Sequence, residues 1–185
     1  MTSEHRPGTY RPPLTISRGD YLKGGSDTLF RESIYALIQC TSRLLACRDA
    51  FSKEMALTQG QFAVLMGVAY CQGQDGVTIK ALADHVALAS THVTTDVGRL
   101  ERMGLLVKAP NGADRRSVLV SLSEEGERHI AQVAPLVREI NNLLFEGIDP
   151  VHLEIARQVS RSLVRNSEEA IATLRRHRRQ GGQKG

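Results

Sequence analysis

Proline is absent from Asp27 through Ala109 of this 185-residue chain, although it stands at positions 7, 12, 13, 110, 135 and 150. A long stretch free of the residue that breaks the helical hydrogen-bond ladder can be helical throughout, and its apolar residues recur at helical spacing. Phe30, Ile34, Leu37, Ile38, Thr41, Leu44 and Leu45 predict a first helix running to about Met55. Thr58 with Gln61 forms a capping box, in which hydroxyl and amide satisfy two orphan backbone donors, and Phe62, Leu65, Met66 and Ala69 then make one helical face. Gly73 and Gly76 stop this second helix. Thr78 caps a short third helix through Leu82 and Val86, and Ser90 or its neighbour starts a fourth with Val93, Val97 and Leu100 inward.

After Gly104 the period changes from helical to alternating, with Leu105 and Val107 on one arm and Val118, Val120 and Leu122 on the other, bracketing Pro110, Asn111 and Gly112. This pattern predicts a hairpin with a long, charged tip. Ser123, Glu124 and Glu125 then read as a helix start, with acids at the positive end of the helix dipole. Ile130, Val133, Val137, Ile140 and Leu144 carry this fifth helix towards Gly147, with a kink expected at Pro135. Asp149 followed by Pro150 opens a sixth helix through Leu153, Ala156, Val159, Leu163, Ile171 and Leu174. The fold class is mainly α with a small two-stranded β-wing: a winged helix-turn-helix over residues 58–123, plus long N- and C-terminal dimerisation helices at 27–57 and 124–176. A flexible basic arm, residues 1–26, rich in Pro and Gly, precedes it, and a basic tail, residues 177–185, follows.

Charge location qualifies the net +4. Residues 1–25 contribute +2 and residues 175–185 contribute +5, so the body between them carries −3. The ends suit nonspecific polyanion binding, and any sequence specificity must come from the body. Cys40, Cys47 and Cys71 are odd in number and lie in apolar stretches, which excludes a disulfide framework and a C-x-x-C pair. No apolar run approaches the roughly 18 residues of a membrane span, and Arg6, Pro7, Arg11 and Pro12 interrupt any secretory segment, so a cytoplasmic location without membrane partner is expected.

Three short helices followed by a ribbon is the order of a winged helix-turn-helix, in which helix four enters a major groove and the ribbon reaches an adjacent minor groove. Helix four presents Ser90, Thr91, His92, Thr94 and Thr95 opposite Val93 and Val97, and small polar groups can reach base edges there. Solvent-facing cap residues of an ordinary bundle would look the same. The hairpin tip separates the two readings: Asp114, Arg115 and Arg116 follow an Asn-Gly turn, and a guanidinium on a narrow ribbon suits the negative potential of a minor groove. Asp114 is expected to orient a neighbouring Arg by a charge-assisted hydrogen bond, against the plainer alternative of an exposed salt bridge.

The stretch from Ala113 to Gly126, Ala-Asp-Arg-Arg-Ser-Val-Leu-Val-Ser-Leu-Ser-Glu-Glu-Gly, resembles the wing signature of the multiple antibiotic resistance regulator (MarR) family, and Val97 to Leu106 resembles the end of its recognition helix. The resemblance covers about residues 29–174. It implies that Arg116 enters the minor groove, that Asp114 holds it, and that Ser90, Thr91, His92, Thr94 and Thr95 face the major groove, with Lys80 and Arg99 on phosphates. One departure is Thr95, where many relatives carry Arg; Asp96 follows it, so phosphate and guanine contacts are fewer. From Lys80 to Arg116 six basic residues stand against four acidic ones, so a single module is only weakly positive. The apolar stripes of the first and last helices call for a second copy, which doubles the contacts on a pseudopalindromic double-stranded operator.

Neither H-E-x-x-H, nor G-x-S-x-G, nor a phosphate-binding Gly loop occurs, so no enzyme activity, cofactor or metal is expected, and each His is read as surface or cap. Cys40 and Cys47, seven apart on one helical face, read as ordinary core residues; in peroxide-sensing relatives the reactive Cys aligns with Tyr35 here. The resemblance further implies a small-molecule effector, an aromatic acid or its coenzyme A thioester, in a pocket faced by Tyr35, Gln39, Arg43, Phe62 and Met66, although plain core packing with Arg43 in an ion pair explains the same residues. The expectation is thus an effector-responsive repressor acting as a homodimer. A nonspecific DNA-organising protein, a thiol-based redox regulator and a helical adaptor are the alternatives.

Overall fold

The computed structural model describes Tyr10, residues 12–114 and residues 116–181. The chain divides into two units, Met1–Ala134 and Pro135–Gly185. In the first, helix α1 spans Thr28–Glu54, α2 Gln59–Cys71, α3 Ile79–Val86 and α4 Ser90–Arg102. Strands β1 (Val77–Thr78), β2 (Leu106–Pro110) and β3 (Val118–Leu122) form an antiparallel sheet in the order β1-β3-β2. Helix α5 (Glu124–Leu144) begins in the first unit and ends in the second, which also holds α6 (Pro150–Gly181).

Local chemistry sets these boundaries. The capping box is present: Thr58 N–H donates to Gln61 Oε1 at 2.9 Å, and Gln61 N–H donates to Thr58 Oγ1 at 3.2 Å. Helix α2 ends where Gly73 and Gly76 adopt φ of 54° and 96°. Thr78 caps α3 by accepting from Ala81 N–H at 3.2 Å, Ser123 caps α5 by accepting from Gly126 N–H at 2.9 Å, and Asp149 caps α6 by accepting from Val151 N–H at 2.7 Å. Helix α4 starts after Ala89 without a side-chain cap. Helix α5 contains Pro135 within its span.

The core of the first unit is the meeting of α2, α3, α4 and the sheet, where Val64, Leu65, Val68, Leu82, Val93, Val97, Leu100, Leu106 and Val120 are fully buried. Burying each such side chain is worth about 1.5–3 kcal/mol, so this layer fixes how the three helices and the hairpin sit together. Gln72 adds a polar tie, its Oε1 accepting from Leu122 N–H at 2.8 Å. At the other end Phe51 packs on Phe62, centroids 6.5 Å apart, and a His129 ring nitrogen lies 3.0 Å from Met55 O.

Four expectations are corrected here. The wing sheet has three strands, because Val77 and Thr78 pair with Val120 and Leu119; a two-residue strand is too short to leave an alternation in the sequence. In β2 the buried residue is Leu106, while Val107 is exposed, since pairing Leu106 with Leu122 and Lys108 with Val120 sets the opposite phase. Cys40 is exposed and Cys47 half-buried, so the face they share is not core within this chain. Asp96 is buried instead of facing outward, its Oδ2 lying against Gly60 in the first turn of α2, where a carboxylate meets the positive helix end.

The arm before α1 carries more structure than its composition suggests. Asp27 is buried, accepting from both the backbone N–H and the Oγ1 of Thr15 at 2.7 Å and pairing with Arg31 at 3.1 Å. These donors hold its carboxyl below the usual Asp range. Gly19–Tyr21 forms a 3-10 turn, Arg18 sits 4.8 Å over the Tyr21 ring, and Tyr21 meets Phe30 edge-on at 5.4 Å.

The outer surface of α1 leaves Leu29, Tyr35, Leu37, Ile38, Leu44 and Leu45 exposed. In the second unit, none of the described residues of α6 from 150 to 180 is buried, and Val151, Leu153, Ile155, Val159, Leu163, Val164, Ile171 and Leu174 are exposed along it. Among the described residues no helix is long and apolar enough to cross a membrane.

Candidate nucleic-acid interface

One open cleft of about 440 Å³ lies between the first turns of α3 and α4 and the wing. Thr78, Ile79 and Lys80 line it from α3 and its cap, Ser90 and Thr94 from α4, and Asn111, Asp114, Arg116, Ser117 and Val118 from the wing. Five predicted residues therefore come together: Lys80, Ser90, Thr94, Asp114 and Arg116. Thr91, His92 and Thr95 are exposed on the same helix but outside the cleft walls. Arg99 is exposed further along α4, tied to Asp96 at 3.4 Å. Arg115 lies outside the described residues.

Side chains within the tip set its geometry. Asn111 Nδ2 donates to Ser117 Oγ at 2.8 Å, Asn111 Oδ1 accepts from Ala113 N–H at 3.0 Å, and Ser117 N–H and Oγ both donate to Asp114 O, at 3.0 and 3.1 Å. Asp114 Oδ1 accepts from the backbone N–H of Arg116 at 3.0 Å. The expected charge-assisted bond to a neighbouring guanidinium is thus replaced, at Arg116, by a bond to its backbone, because a carboxylate two residues back reaches the amide more readily than the end of a long side chain. Among the described residues no acid pairs with the exposed Arg116 side chain. Asn111 and Ser117 close the tip from its two ends, and the single sequence sign of them was the Asn-Gly turn.

The base of the wing is fastened to α4 by Lys108, whose Nζ lies 2.6 Å from Glu101 Oε2. This pair removes one cation and one acid from the outward charge. Among the described residues, the cations lining the cleft are Lys80 on the α3 side and Arg116 on the wing, with the hydroxyls of Ser90 and Thr94 on the α4 wall and one acid, Asp114, on the wing.

Residues 48–133 match the SarA/Rot family of transcriptional regulators. The fold around them is that of solved MarR-family regulators. This chain thus has the winged-helix fold of those regulators. It is 30% identical over 99 residues to the transcriptional activatory protein BadR of Rhodopseudomonas palustris, an alignment covering 54% of this chain and 56% of BadR, so the chain spans little more than half of that relative. Among solved structures, CouR from Rhodococcus jostii RHA1 bound to p-coumaroyl-CoA superposes with a TM-score of 0.64 at 23% identity, over 75% of this chain and 95% of CouR. A MarR-family regulator from Silicibacter pomeroyi DSS gives a TM-score of 0.64 at 18% identity, over 85% of this chain and 99% of its own. In this winged-helix module the wing cleft is built from the helix-turn-helix and the hairpin together.

The residues expected around an effector separate into two groups. Tyr35, Gln39 and Arg43 are exposed on α1, where Gln39 and Arg43 border a shallow concavity made of α1 residues alone. Phe62 is buried against Phe51, and Met66 is half-buried on α2. Neither the wing cleft nor the α1 concavity joins the two groups. No group of His, Cys, Asp and Glu among them is placed to hold a metal ion.

Proposed function

We propose that this chain is a sequence-specific, DNA-binding transcriptional regulator that acts as a homodimer on a pseudopalindromic operator, repressing by occupancy and released by a small-molecule effector. The observation that carries the reading is the cleft itself. Lys80 and Arg116 line it together with Ser90 and Thr94, and the backbone of Arg116 is held by the hydrogen-bonded tip. A helix start flanked by a cationic ribbon is the arrangement that places a helix in the major groove and an arginine in the neighbouring minor groove. Ser90, Thr91, His92, Thr94 and Thr95 then meet base edges, Arg116 enters the minor groove, and Lys80 and Arg99 neutralise phosphates.

The homodimer is supported by the apolar residues that α1 and α6 each leave exposed, a surface more typical of an interface than of a monomer. An aromatic acid or its coenzyme A thioester is the effector class, on the strength of CouR being bound to p-coumaroyl-CoA and of Arg43 and Tyr35 standing exposed on α1. In the dimer a pocket formed with the partner would reunite them with α2.

Electrophoretic shifts on the chain's own upstream DNA, with and without competitor, test the reading. Retention of one retarded species against excess random duplex is expected, at a mass by light scattering of two chains per duplex. Equal competition by any DNA would instead make it a nonspecific organising protein, and no shift at all would leave the winged module as a protein-binding adaptor. Reporter transcription in vitro decides direction, since BadR is named an activator.

A further inference from the structure

The two threonines at the end of the exposed α4 patch differ from the rest of it in how their protons are used. Thr94 Oγ1 donates to Ser90 O at 2.8 Å, and Thr95 Oγ1 donates to Thr91 O at 2.9 Å. Each hydroxyl has one proton, and here it is committed to a carbonyl one turn back. Towards anything outside the helix the two side chains therefore offer lone pairs and a γ-methyl, and no donor. Turning either proton outward costs the bond to the carbonyl.

That chemistry discriminates among base pairs. In the major groove guanine presents two acceptors, N7 and O6, and is met by Arg or Lys. Between Ser90 and Thr95 there is neither, and lone pairs set against N7 and O6 repel. An A·T pair presents the N6 amino donor of adenine and, beyond the thymine O4, the thymine 5-methyl; a G·C pair also has an amino donor, at cytosine N4, but no methyl, so only A·T matches an acceptor-plus-methyl surface on both counts. Thr94 lines the cleft with Lys80 and Arg116, and Thr95 is exposed beside it, so both lie where a base edge arrives under the DNA-binding reading. Asp96 does not disturb the match, because it is turned inward against Gly60.

We propose that Thr94 and Thr95 are specificity-determining residues that select A·T pairs, each γ-methyl packing on a thymine 5-methyl and each hydroxyl oxygen accepting from an adenine N6 amino group. This rests on the proposed DNA-binding function and adds to it which bases are read. The threonine-to-serine variants remove the methyl and keep the hydroxyl; the threonine-to-valine variants do the reverse. Deoxyuridine in place of thymidine removes the same methyl from the DNA side.

The test is a selection of randomised duplexes with the full chain, followed by titration of the enriched duplex carrying single dT-to-dU changes. For the wild type, dU at the contacted position is expected to weaken binding about fourfold, the cost of exposing one such group. Thr94→Ser or Thr95→Ser should show the same loss on the natural duplex and then be indifferent to dU, a non-additive cycle. Thr94→Val should stay sensitive to dU and lose its preference for adenine opposite. Enrichment of G·C pairs at the positions these variants alter, additive losses, or no enriched sequence would overturn the assignment while leaving DNA binding standing. A chain that binds no duplex would overturn both.

Discussion

The backbone N–H of Arg116 is held by Asp114 Oδ1 at 3.0 Å, while the guanidinium at the far end of Arg116 has no acidic partner among the described residues. The acid thus directs the arginine without neutralising it. Asp114→Asn keeps an acceptor oxygen and should retain most DNA affinity. Asp114→Ala removes the turn-stabilising bond and should weaken binding about three- to thirtyfold, the order expected for one lost hydrogen bond at about 0.5–1.5 kcal/mol plus some tip disorder. Fluorescence anisotropy on labelled duplex distinguishes them, and equal losses for both variants would assign the effect to charge.

Arg116→Ala should weaken binding most on duplexes with A·T-rich flanks, where the minor groove is narrow and its potential most negative. Lys80→Ala, by contrast, should weaken all sequences alike and lower the magnitude of the salt dependence by about one unit per lost phosphate contact. Titrations of both variants at three salt concentrations, on A·T- and G·C-flanked versions of one site, separate a groove contact from a phosphate contact.

Two glycines predict opposite changes in stability. A methyl on Gly126 would collide with the carbonyl oxygen of Leu105, where α5 lies flush on the entry to the wing, and backbone cannot yield cheaply. Gly126→Ala should cost about 1–3 kcal/mol or more. Gly98, inside α4, has open space around it, and Gly98→Ala should stabilise by up to about 1 kcal/mol through helix propensity. Urea unfolding of the two variants beside the wild type gives the comparison.

Asp27 sets a pH response for the arm. Donation from Thr15, first to last through its amide and its hydroxyl, lowers the Asp27 pKa, so its contribution is fully present above the unfolded-state value of about 3.9 and is lost as pH falls through the lower folded value. At neutral pH Asp27→Asn should mimic that loss. Faster hydrogen exchange of the Thr15 amide in the variant, with the α2–α4 core unchanged, is the expected result; unchanged protection would show that Tyr21 against Phe30 holds the arm unaided.

The helices were legible because their signals are local: Thr58 and Gln61, Thr78, Ser123 and Asp149 each act within three residues, and each is found capping the helix it was read to start. The cleft was legible in part. Lys80, Ser90, Thr94, Asp114 and Arg116 were singled out by charge, turn chemistry and helical phase, and they share one concavity. What escaped depends on distant partners. Asp96 looks like an outward acid until the first turn of α2 is placed beside it, Val107 is exposed because of strand register with β3, and Cys40 reads as core only if something covers α1. Strand β1 has two residues and no period of its own.

Thr78 occupies three settings at once: it pairs with Leu119 in the sheet, caps α3, and lines the cleft two residues before Lys80. The wing is consequently not a portable finger. Transplanting residues 105–123 onto another scaffold would leave the hairpin without its third strand and without the gauge that sets its distance from α3, so an engineer wishing to move the cleft intact would have to carry the segment from Gln72 to Lys80 along with it.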